Sequence, residues 1–278
     1  MYLGIDIGGT KTLVAAFTNE GKISEEVKFP TPKNYDHFLL ELRNALVHFE
    51  HKDFQATGVG MPVTVFDRKH GRGIAYGNLP WKNVPIEHDI QRIVDSPIII
   101  ENDAKMAAFS EAHVLADKYN SVLYVTVSTG IGFGLVVNKQ IVTSIGDAGG
   151  RSMMFEHEGK VKNWEEFASG HAIVERFGKL AEDITDEKTW RAICRDLAKG
   201  LVELIAIMQP EAIVLGGSVG NFFDRYDKIL KEEVKKYEVP LVPMPHLLKA
   251  ANPKEAVIYG CFLLARQKFS VGERASVN

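Results

Sequence analysis

The chain has 278 residues, 45% of them hydrophobic and 25% charged, with a formal net charge of -3. These values are typical of a globular protein with a large core, and they exclude a broad positive field for nucleic acid or anionic membranes. No apolar run approaches the ~20 residues that a membrane helix needs, and the first residues lack the pattern of a secretory signal. We therefore expect neither nucleic acid nor a membrane as a partner.

The two cysteines, Cys194 and Cys261, are far apart in the sequence and do not form a CxxC pair. They cannot make a disulfide framework of the kind that staples small secreted domains. Two cysteines that are not arranged as a pair indicate a reducing compartment, and we expect a cytoplasmic protein.

The first predicted element is a β-hairpin. Residues 3–7 and 13–17 are apolar runs separated by a polar, glycine-rich turn. The following elements are predicted as a strand in ISEEVKF, a helix over residues 35–49, strands in ATGVGMP and PIIIEND, and a helix over residues 104–118.

The pattern then restarts at SVLYVTVSTGIGFGLVVNKQIV, residues 121–142, which repeats the order of strand, small polar glycine turn, strand, Asn-Lys turn and strand. The later elements are predicted as helices over residues 164–178 and 187–208, a strand over 212–217, and helices over 222–237 and 255–268. A duplication at half the chain length predicts two related α/β domains with a cleft between them.

Both halves place a glycine turn at the tip of their central hairpin. Glycines let a ligand approach the backbone closely, and the N–H groups of such turns bind anions. An ordinary hairpin turn is the alternative for either turn alone, but two matched turns favour phosphate binding. The residues predicted to hold phosphate are Gly8, Gly9, Thr10 and Lys11 in the first turn and Thr129 and Gly130 in the second.

Asp6 precedes the first glycine turn. Its carboxylate would repel a phosphate, but it suits Mg²⁺ or the water molecules around that ion. We therefore expect Asp6 to contribute to a magnesium site.

Five further stretches, with the first hairpin, resemble motifs of the ROK (repressor, open reading frame, kinase) family. GIDIGGTKTLVAAF and YVTVSTGIGFGLVVN are similar to its two phosphate motifs, and IENDAKMAAFSEA to its catalytic segment. The others are TGVGMPVTV, GNLPWKNVPI and IVLGGSVG, the last being similar to its adenosine motif. The resemblance implies an actin-like ATPase, ribonuclease H-like fold with two duplicated α/β domains around a cleft. It also implies a glucokinase-like enzyme that uses ATP and Mg²⁺ to phosphorylate a hexose hydroxyl.

The domain boundaries follow from the same resemblance. Residues 1–118 are expected to form the N-terminal domain, joined by the C-terminal helix at 255–269, and residues 119–254 the C-terminal domain. Homodimers are common in the resembled family, so a homodimer is implied.

The resemblance also assigns roles to site residues. Asp103 is expected to be the general base that accepts the proton of the attacking sugar hydroxyl, although a plain helix N-cap is the alternative. Asn102 and Asn78 are expected to contact the sugar. Gly216 and Gly217 are expected to pack against adenosine, with a strand-to-helix turn as the alternative. The three tryptophans, Trp81, Trp164 and Trp190, are predicted to be packing residues.

The sequence departs from the family between residues 148 and 170. Gly150 and Met153 stand where the family has a sugar-binding Glu and His, and Glu165 alone matches the family's second sugar-binding Glu. The zinc-binding cysteines are missing, the loop is shortened to EHEGKVKN, and His157 is expected to be an exposed turn residue. We therefore predict no structural zinc and modest discrimination between sugar epimers.

Other functions remain open at this point. Fructose, mannose or an N-acetyl amino sugar could replace glucose as the acceptor, and the altered loop leaves a non-catalytic sugar- or nucleotide-binding protein possible. A repressor is disfavoured because no helix-turn-helix precedes the first phosphate motif.

Overall fold

The computed structural model describes residues 1–252 and 254–270, which divide into two compact units. The first unit comprises Met1–Ser110 and the segment that begins at Glu255, and the second is Glu111–Lys254. Both units are α/β, and each has its own apolar core.

The first unit is built on a five-stranded sheet. Its elements are β1 (Tyr2–Ile7), β2 (Lys11–Phe17), β3 (Ile23–Pro30), α1 (Tyr35–Val47), β4 (Ala56–Met61), β5 (Val63–Asp67), β6 (Arg72–Tyr76), α2 (Ile86–Val94), β7 (Ile98–Asn102) and α3 (Asp103–Val114). The strand order is β3-β2-β1-β4-β7, and β5 and β6 form a separate hairpin. Strands β1, β4 and β7 run parallel, so their carboxyl ends meet at one edge of the sheet.

The second unit repeats this sheet. Its elements are β8 (Ser121–Val127), β9 (Ile131–Val137), β10 (Gln140–Ile141), β11 (Met154–His157), β12 (Lys160–Asn163), α4 (Trp164–Ala168), α5 (Gly170–Phe177), α6 (Glu187–Met208), β13 (Ala212–Gly216), α7 (Gly217–Gly220), α8 (Asp227–Lys235) and β14 (His246–Lys249). The strand order β10-β9-β8-β13-β14 and the strand directions match those of the first unit. The duplication predicted from the sequence is confirmed.

Three predicted helices differ from the structure by more than two residues at one end or are interrupted. The helix expected over residues 164–178 is broken at Ser169, whose extended backbone ends α4 and whose hydroxyl accepts the N–H of Ala172 to start α5. The helix expected at 222 begins at Asp227, after a short 3-10 turn, and the one expected to reach residue 118 ends at Val114.

The chain ends in α9 (Ala256–Phe269), which packs on β1 and β4 of the first unit. Gly58 permits this contact, because a Cβ built on it would lie 2.0 Å from the carbonyl oxygen of Cys261. The helix backbone therefore rests directly on the strand.

We expect Gly58→Ala to lower the free energy of unfolding by about 1–3 kcal/mol, the usual range for overpacking a closed core. Chemical denaturation of the full chain measures this change. An unfolding curve identical to that of the wild type would show that α9 does not approach β4 this closely.

Candidate active site

The first glycine turn joins β1 to β2. The N–H of Gly8 donates to the carbonyl of Lys11 (3.0 Å), and Gly9 packs on Asn78, whose Cβ lies 2.7 Å from the place where a Cβ on Gly9 would be. Thr10 and Lys11 are exposed at the tip. The turn therefore presents a hydroxyl, an ammonium group and backbone to solvent, and Asn78 supports it from one side.

Lys33 connects the same two segments, although the sequence gave no signal for it. Its Nζ donates to the carbonyl oxygens of Gly9 (2.7 Å) and Asn78 (3.2 Å). Its own carbonyl accepts the indole N–H of Trp81 (3.1 Å). Trp81 is buried, as the sequence predicted, so the phosphate-type turn and the segment after β6 are held together through one lysine.

Two carboxylates lie near the carboxyl ends of the parallel strands. Asp6 is the penultimate residue of β1, and Asp103 directly follows β7. This edge is where α/β sheets commonly bind ligands. Burial, reinforced by the charge of Asp103, raises the pKa of Asp6 to about 7. Burial also raises the pKa of Asp103 to about 6, against the opposing effect of the Ala104 N–H.

Asn102, rather than Asp103, caps α3. Its Oδ1 accepts the N–H groups of Ala104 (2.9 Å) and Lys105 (3.3 Å), and its Nδ2 donates to the carbonyl of Val63 (2.8 Å). The amide that was expected to orient a sugar is thus engaged with the backbone. Asp103 accepts the N–H of Ala104 through Oδ1 (2.7 Å).

A buried ionic group holds the end of β7. Glu101 is 4% exposed, pairs with the guanidinium of Arg68 and accepts the N–H of Asn102 (2.8 Å). The Nζ of Lys105, which is fully buried, lies 3.8 Å from the same carboxylate. Neither cation was singled out from the sequence, because their contacts join a hairpin, a strand and a helix. The group stiffens the backbone that carries Asp103.

The second glycine turn joins β8 to β9 in the other unit. The N–H of Ser128 donates to the carbonyl of Gly130 (2.9 Å), and the N–H of Gly170 donates to the carbonyl of Ser128 (2.6 Å). Thr129 is exposed at the tip. The first residue of α5 therefore fixes this turn.

A cavity of about 380 Å³ opens beside this second turn, wholly within the second unit. It is lined by Ser128, Thr129, Gly170, His171, Val174, Leu180, Ala181, Glu182, Ser218, Val219, Asn221 and Phe222. This mixture of apolar walls and a few polar groups is typical of small-molecule sites.

Gly216 and Gly217 lie just before two of these lining residues. Their missing side chains leave room for the hydroxyl of Tyr124 and the carbonyl of Val127, respectively. Among the described residues that line the cavity, Ser218 and Val219 take the position that was expected for the two glycines. The glycines let the end of β13 pack closely on β8.

Glu165 is the first-turn residue of α4 that the sequence predicted to bind sugar. Its Oε1 accepts the Nε–H of Arg151 (2.7 Å), and its Oε2 accepts the N–H of Ile131 (2.9 Å). Both oxygens are therefore engaged within the second unit.

Comparison with known proteins shows the family to which the chain belongs. A family model described as the ROK family matches residues 2–268. The chain belongs to the ROK family. It is 25% identical to a glucokinase of Streptomyces coelicolor over 96% of this chain and 98% of the relative. It is 29% identical to an N-acetylmannosamine kinase of Yersinia pestis over 88% of this chain and 93% of the relative.

The fold of this ROK protein is also that of solved members of the family. The crystal structure of a ROK family glucokinase from Streptomyces griseus, in complex with glucose and AMPPNP, matches it with a TM-score of 0.79 at 23% identity. The match covers 96% of this chain and 99% of that one. The protein therefore has the actin-like ATPase fold with two α/β domains. No helix in residues 1–252 and 254–270 is both long and apolar enough to span a membrane.

A β-hairpin with a two-residue turn occupies the segment in which the resembled family has a zinc-binding loop. Strands β11 and β12 pair in register around Glu158 and Gly159, which both have positive φ. Such a turn matches the twist of the two strands. The shortened sequence therefore forms regular structure in place of a loop.

His157 is not an exposed turn residue, and that prediction is wrong. The side chain is 7% exposed and stacks on Phe167 with a centroid distance of 4.2 Å. The Nζ of Lys199 donates to its Nδ1 (3.0 Å), and burial lowers the pKa of His157, which favours the neutral ring that this bond requires. The sequence signal was misread because the residue precedes a turn but points into the core.

We predict that the purified protein contains far less than one zinc per chain. Among the described residues, no group of three or more His, Cys, Asp and Glu side chains is arranged to hold a metal ion, and stacking of His157 on Phe167 anchors the hairpin instead. Elemental analysis measures the zinc content, and treatment with EDTA should leave the melting temperature unchanged. A stoichiometric zinc whose removal unfolds the protein would contradict the prediction.

Proposed function

We propose that this ROK protein is an ATP-dependent sugar kinase that transfers the γ-phosphoryl group of ATP to a hydroxyl of a hexose, with glucose as the first candidate. The observation that carries the proposal is the position of Asp103, which directly follows β7 at the edge of the sheet where the parallel strands end, with Asn102 and not Asp103 capping α3. The names of its relatives, a glucokinase and an N-acetylmannosamine kinase, support sugar phosphorylation.

In this reaction Asp103 accepts the proton of the sugar hydroxyl while the hydroxyl oxygen attacks the γ-phosphorus. The new O–P bond forms as the bond to the leaving ADP breaks, and the proton remains on the carboxyl of Asp103. Phosphoryl transfer depends mainly on positioning and on neutralising charge, so a single aligned base is sufficient. Asn78, which is exposed beside the first glycine turn, is proposed as a sugar contact.

Nucleotide binding is proposed for the two glycine turns and for the 380 Å³ cavity of the second unit. In the first unit Gly8, Gly9, Thr10 and Lys11 are proposed to bind phosphate through backbone N–H groups, a hydroxyl and the ammonium group. In the second unit Thr129 and Gly130 are proposed to do so through backbone N–H groups and a hydroxyl. The cavity would take the adenosine, next to the turn that follows Gly216 and Gly217. The glucokinase structure that contains AMPPNP supports ATP as the donor.

Magnesium is proposed to bind at Asp6. Mg²⁺ usually takes one or two carboxylates and keeps most of its water, so the donor set fits. The pKa of Asp6 is raised chiefly by burial and further by the charge of its neighbour Asp103, and a cation would relieve the repulsion between the two carboxylates. When bound, Mg²⁺ would neutralise charge on the phosphates.

The place of action and the assembly are proposals as well. We propose that the protein acts in the cytoplasm, where its two buried free thiols, Cys194 and Cys261, would stay reduced. We also propose a homodimer, and the two structural units as its functional domains.

The experiment that tests the function is an assay of ADP formation with ATP, Mg²⁺ and a panel of glucose, mannose, fructose, N-acetylglucosamine and N-acetylmannosamine. We expect sugar-dependent ADP formation with at least one hexose. Binding of AMPPNP without sugar-dependent turnover across the panel would favour a non-catalytic protein, an alternative to which the missing family Glu and His at Gly150 and Met153 give some weight.

A further inference from the structure

Glu165 joins two segments of the second unit that lie far apart in the sequence. Its carboxylate accepts the Nε–H of Arg151 on one oxygen (2.7 Å) and the N–H of Ile131 on the other (2.9 Å). The side chain of Glu165 is 17% exposed and that of Arg151 is 40% exposed. A carboxylate that is mostly withdrawn from water and charge-paired makes stronger hydrogen bonds than one on an open surface.

The fit of this carboxylate to the second glycine turn is close. A Cβ built on Gly130 would lie 2.3 Å from Oε2 of Glu165. On the other side, Gly150 packs on Ile131 and on the backbone of Glu165, with a Cβ built there at 3.0 Å from the Cβ of Ile131 and 3.3 Å from the nitrogen of Glu165. The two glycines therefore let the carboxylate and the 149–152 segment lie close to one turn.

The turn that Glu165 contacts is the one proposed to hold phosphate. Thr129, at its tip, lines the 380 Å³ cavity and also a neighbouring cavity of about 360 Å³, which Arg151 and Glu165 line. A carboxylate repels phosphate, so Glu165 cannot be a phosphate ligand itself. Glu165 can instead fix the orientation of the turn backbone whose N–H groups bind the phosphate.

We propose that Glu165 and Arg151 are positioning residues for the phosphate-binding turn at residues 128–130, and that Glu165 is not a determinant of sugar affinity. This inference rests on the proposed kinase function. Two sequence differences from the family support this proposal. The chain has Gly150 where the family resemblance predicts a carboxylate, and the next residue is Arg151. Arg151 neutralises the remaining carboxylate and leaves it directed at the N–H of Ile131.

The consequence concerns specificity. Each oxygen of Glu165 already accepts one hydrogen bond, and the guanidinium of Arg151 offsets the negative charge that would strengthen a bond from a sugar hydroxyl. Selection among sugars would then depend on other residues, such as Asn78 and Asp103 in the first unit.

The test compares Glu165→Gln, Arg151→Ala and the double variant in the full-length protein. Calorimetry measures the Kd of AMPPNP with Mg²⁺, and steady-state kinetics give KM for ATP and for the best sugar of the panel. We expect Glu165→Gln to raise the AMPPNP Kd and the ATP KM roughly tenfold, the scale of losing one charge-assisted hydrogen bond. The sugar KM should change less than about twofold, and the double variant should be no worse than Glu165→Gln, because the two residues act as one unit.

Glu187→Gln is the matched control, because Glu187 pairs with Arg191 on the exposed surface of the same unit. It should leave all three constants unchanged. A rise in the sugar KM with an unchanged AMPPNP Kd would overturn the proposal and make Glu165 a sugar contact. No change in either constant, or equal changes in both, would overturn it as well.

A second measurement does not depend on whether the variants fold. The Ile131 amide of the wild type should be protected from hydrogen exchange, since the carboxylate of Glu165 accepts its N–H. Exchange at the rate of an unstructured amide would overturn the proposal.

If the wild type binds AMPPNP but phosphorylates no sugar, the proposed function fails while the positioning role is still measured by the AMPPNP Kd. If it binds no AMPPNP, both fail.

Discussion

Asp103→Asn is expected to lower kcat roughly 100-fold or more, the usual scale for removing a positioned general base. The variant should fold and keep its Kd for AMPPNP, because Asn102 and not Asp103 caps α3. Asparagine keeps the size of the side chain and can still accept the N–H of Ala104. It cannot accept the proton of the sugar hydroxyl.

Asp95→Asn is a suitable control for this variant. Asp95 is an exposed residue of the same unit, and its left-handed backbone, with φ of 48°, is one that asparagine tolerates. The control should retain wild-type kcat. If Asp103→Asn also retained a large share of wild-type turnover, Asp103 would not be the base.

The pH dependence gives a second readout of the same residue. Asp103 must be ionised to accept a proton, and burial raises its pKa to about 6. We therefore expect kcat of the wild type to fall as the pH is lowered through about 6 and to level off above about 7. At saturating Mg²⁺, which would hold Asp6 ionised, the residual activity of Asp103→Asn should lack this acid limb, since the titrating carboxyl of Asp103 is gone. The same limb in the variant would assign it to another group.

Asp6→Asn is expected to shift the Mg²⁺ concentration required for half-maximal activity upward by roughly tenfold or more, because it removes the charge of a proposed ligand. The KM for sugar should change much less. Titration of activity with Mg²⁺ at fixed sugar and at fixed total ATP measures the shift. An unchanged titration would exclude Asp6 from the metal site.

The same variant is expected to be more stable than the wild type at high pH. Asp6 has a pKa of about 7 in the folded chain against the ordinary value of 3.8, so the folded state binds its proton more tightly than the unfolded state. This contribution is fully present below pH 4 and is lost as the pH rises through 7. In the absence of Mg²⁺, Asp6→Asn should therefore raise the melting temperature by roughly 2–4 °C at pH 8 and by much less at pH 4.

The sequence predicted the fold well because its signals are local or repeated. The helix over residues 187–208 has the predicted bounds, since Asp186 caps it and its apolar residues recur with helical spacing. The two halves share a strand order, which the repeated hairpins predicted. Helix α2 was missed, although Ile86, Ile90 and Val94 are spaced for one buried face, because it is short and begins after a proline.

Much of the candidate site could not be predicted because its contacts are distant in sequence. Lys33 reaches the carbonyl of Asn78, 45 residues away, and Glu165 reaches Ile131, 34 residues away. Composition and spacing do not encode such pairs. A motif match predicted which residues stand near the chemistry, but it did not show that Asn102 caps a helix or that Glu165 pairs with an arginine.

The most direct test of the kinase account is product analysis by mass spectrometry after incubation of the protein with ATP, Mg²⁺ and the sugar panel. The account predicts a sugar monophosphate and ADP in equal amounts for at least one hexose, with both products reduced together in Asp103→Asn. ADP without a phosphorylated sugar, or no product with any sugar of the panel, would contradict it.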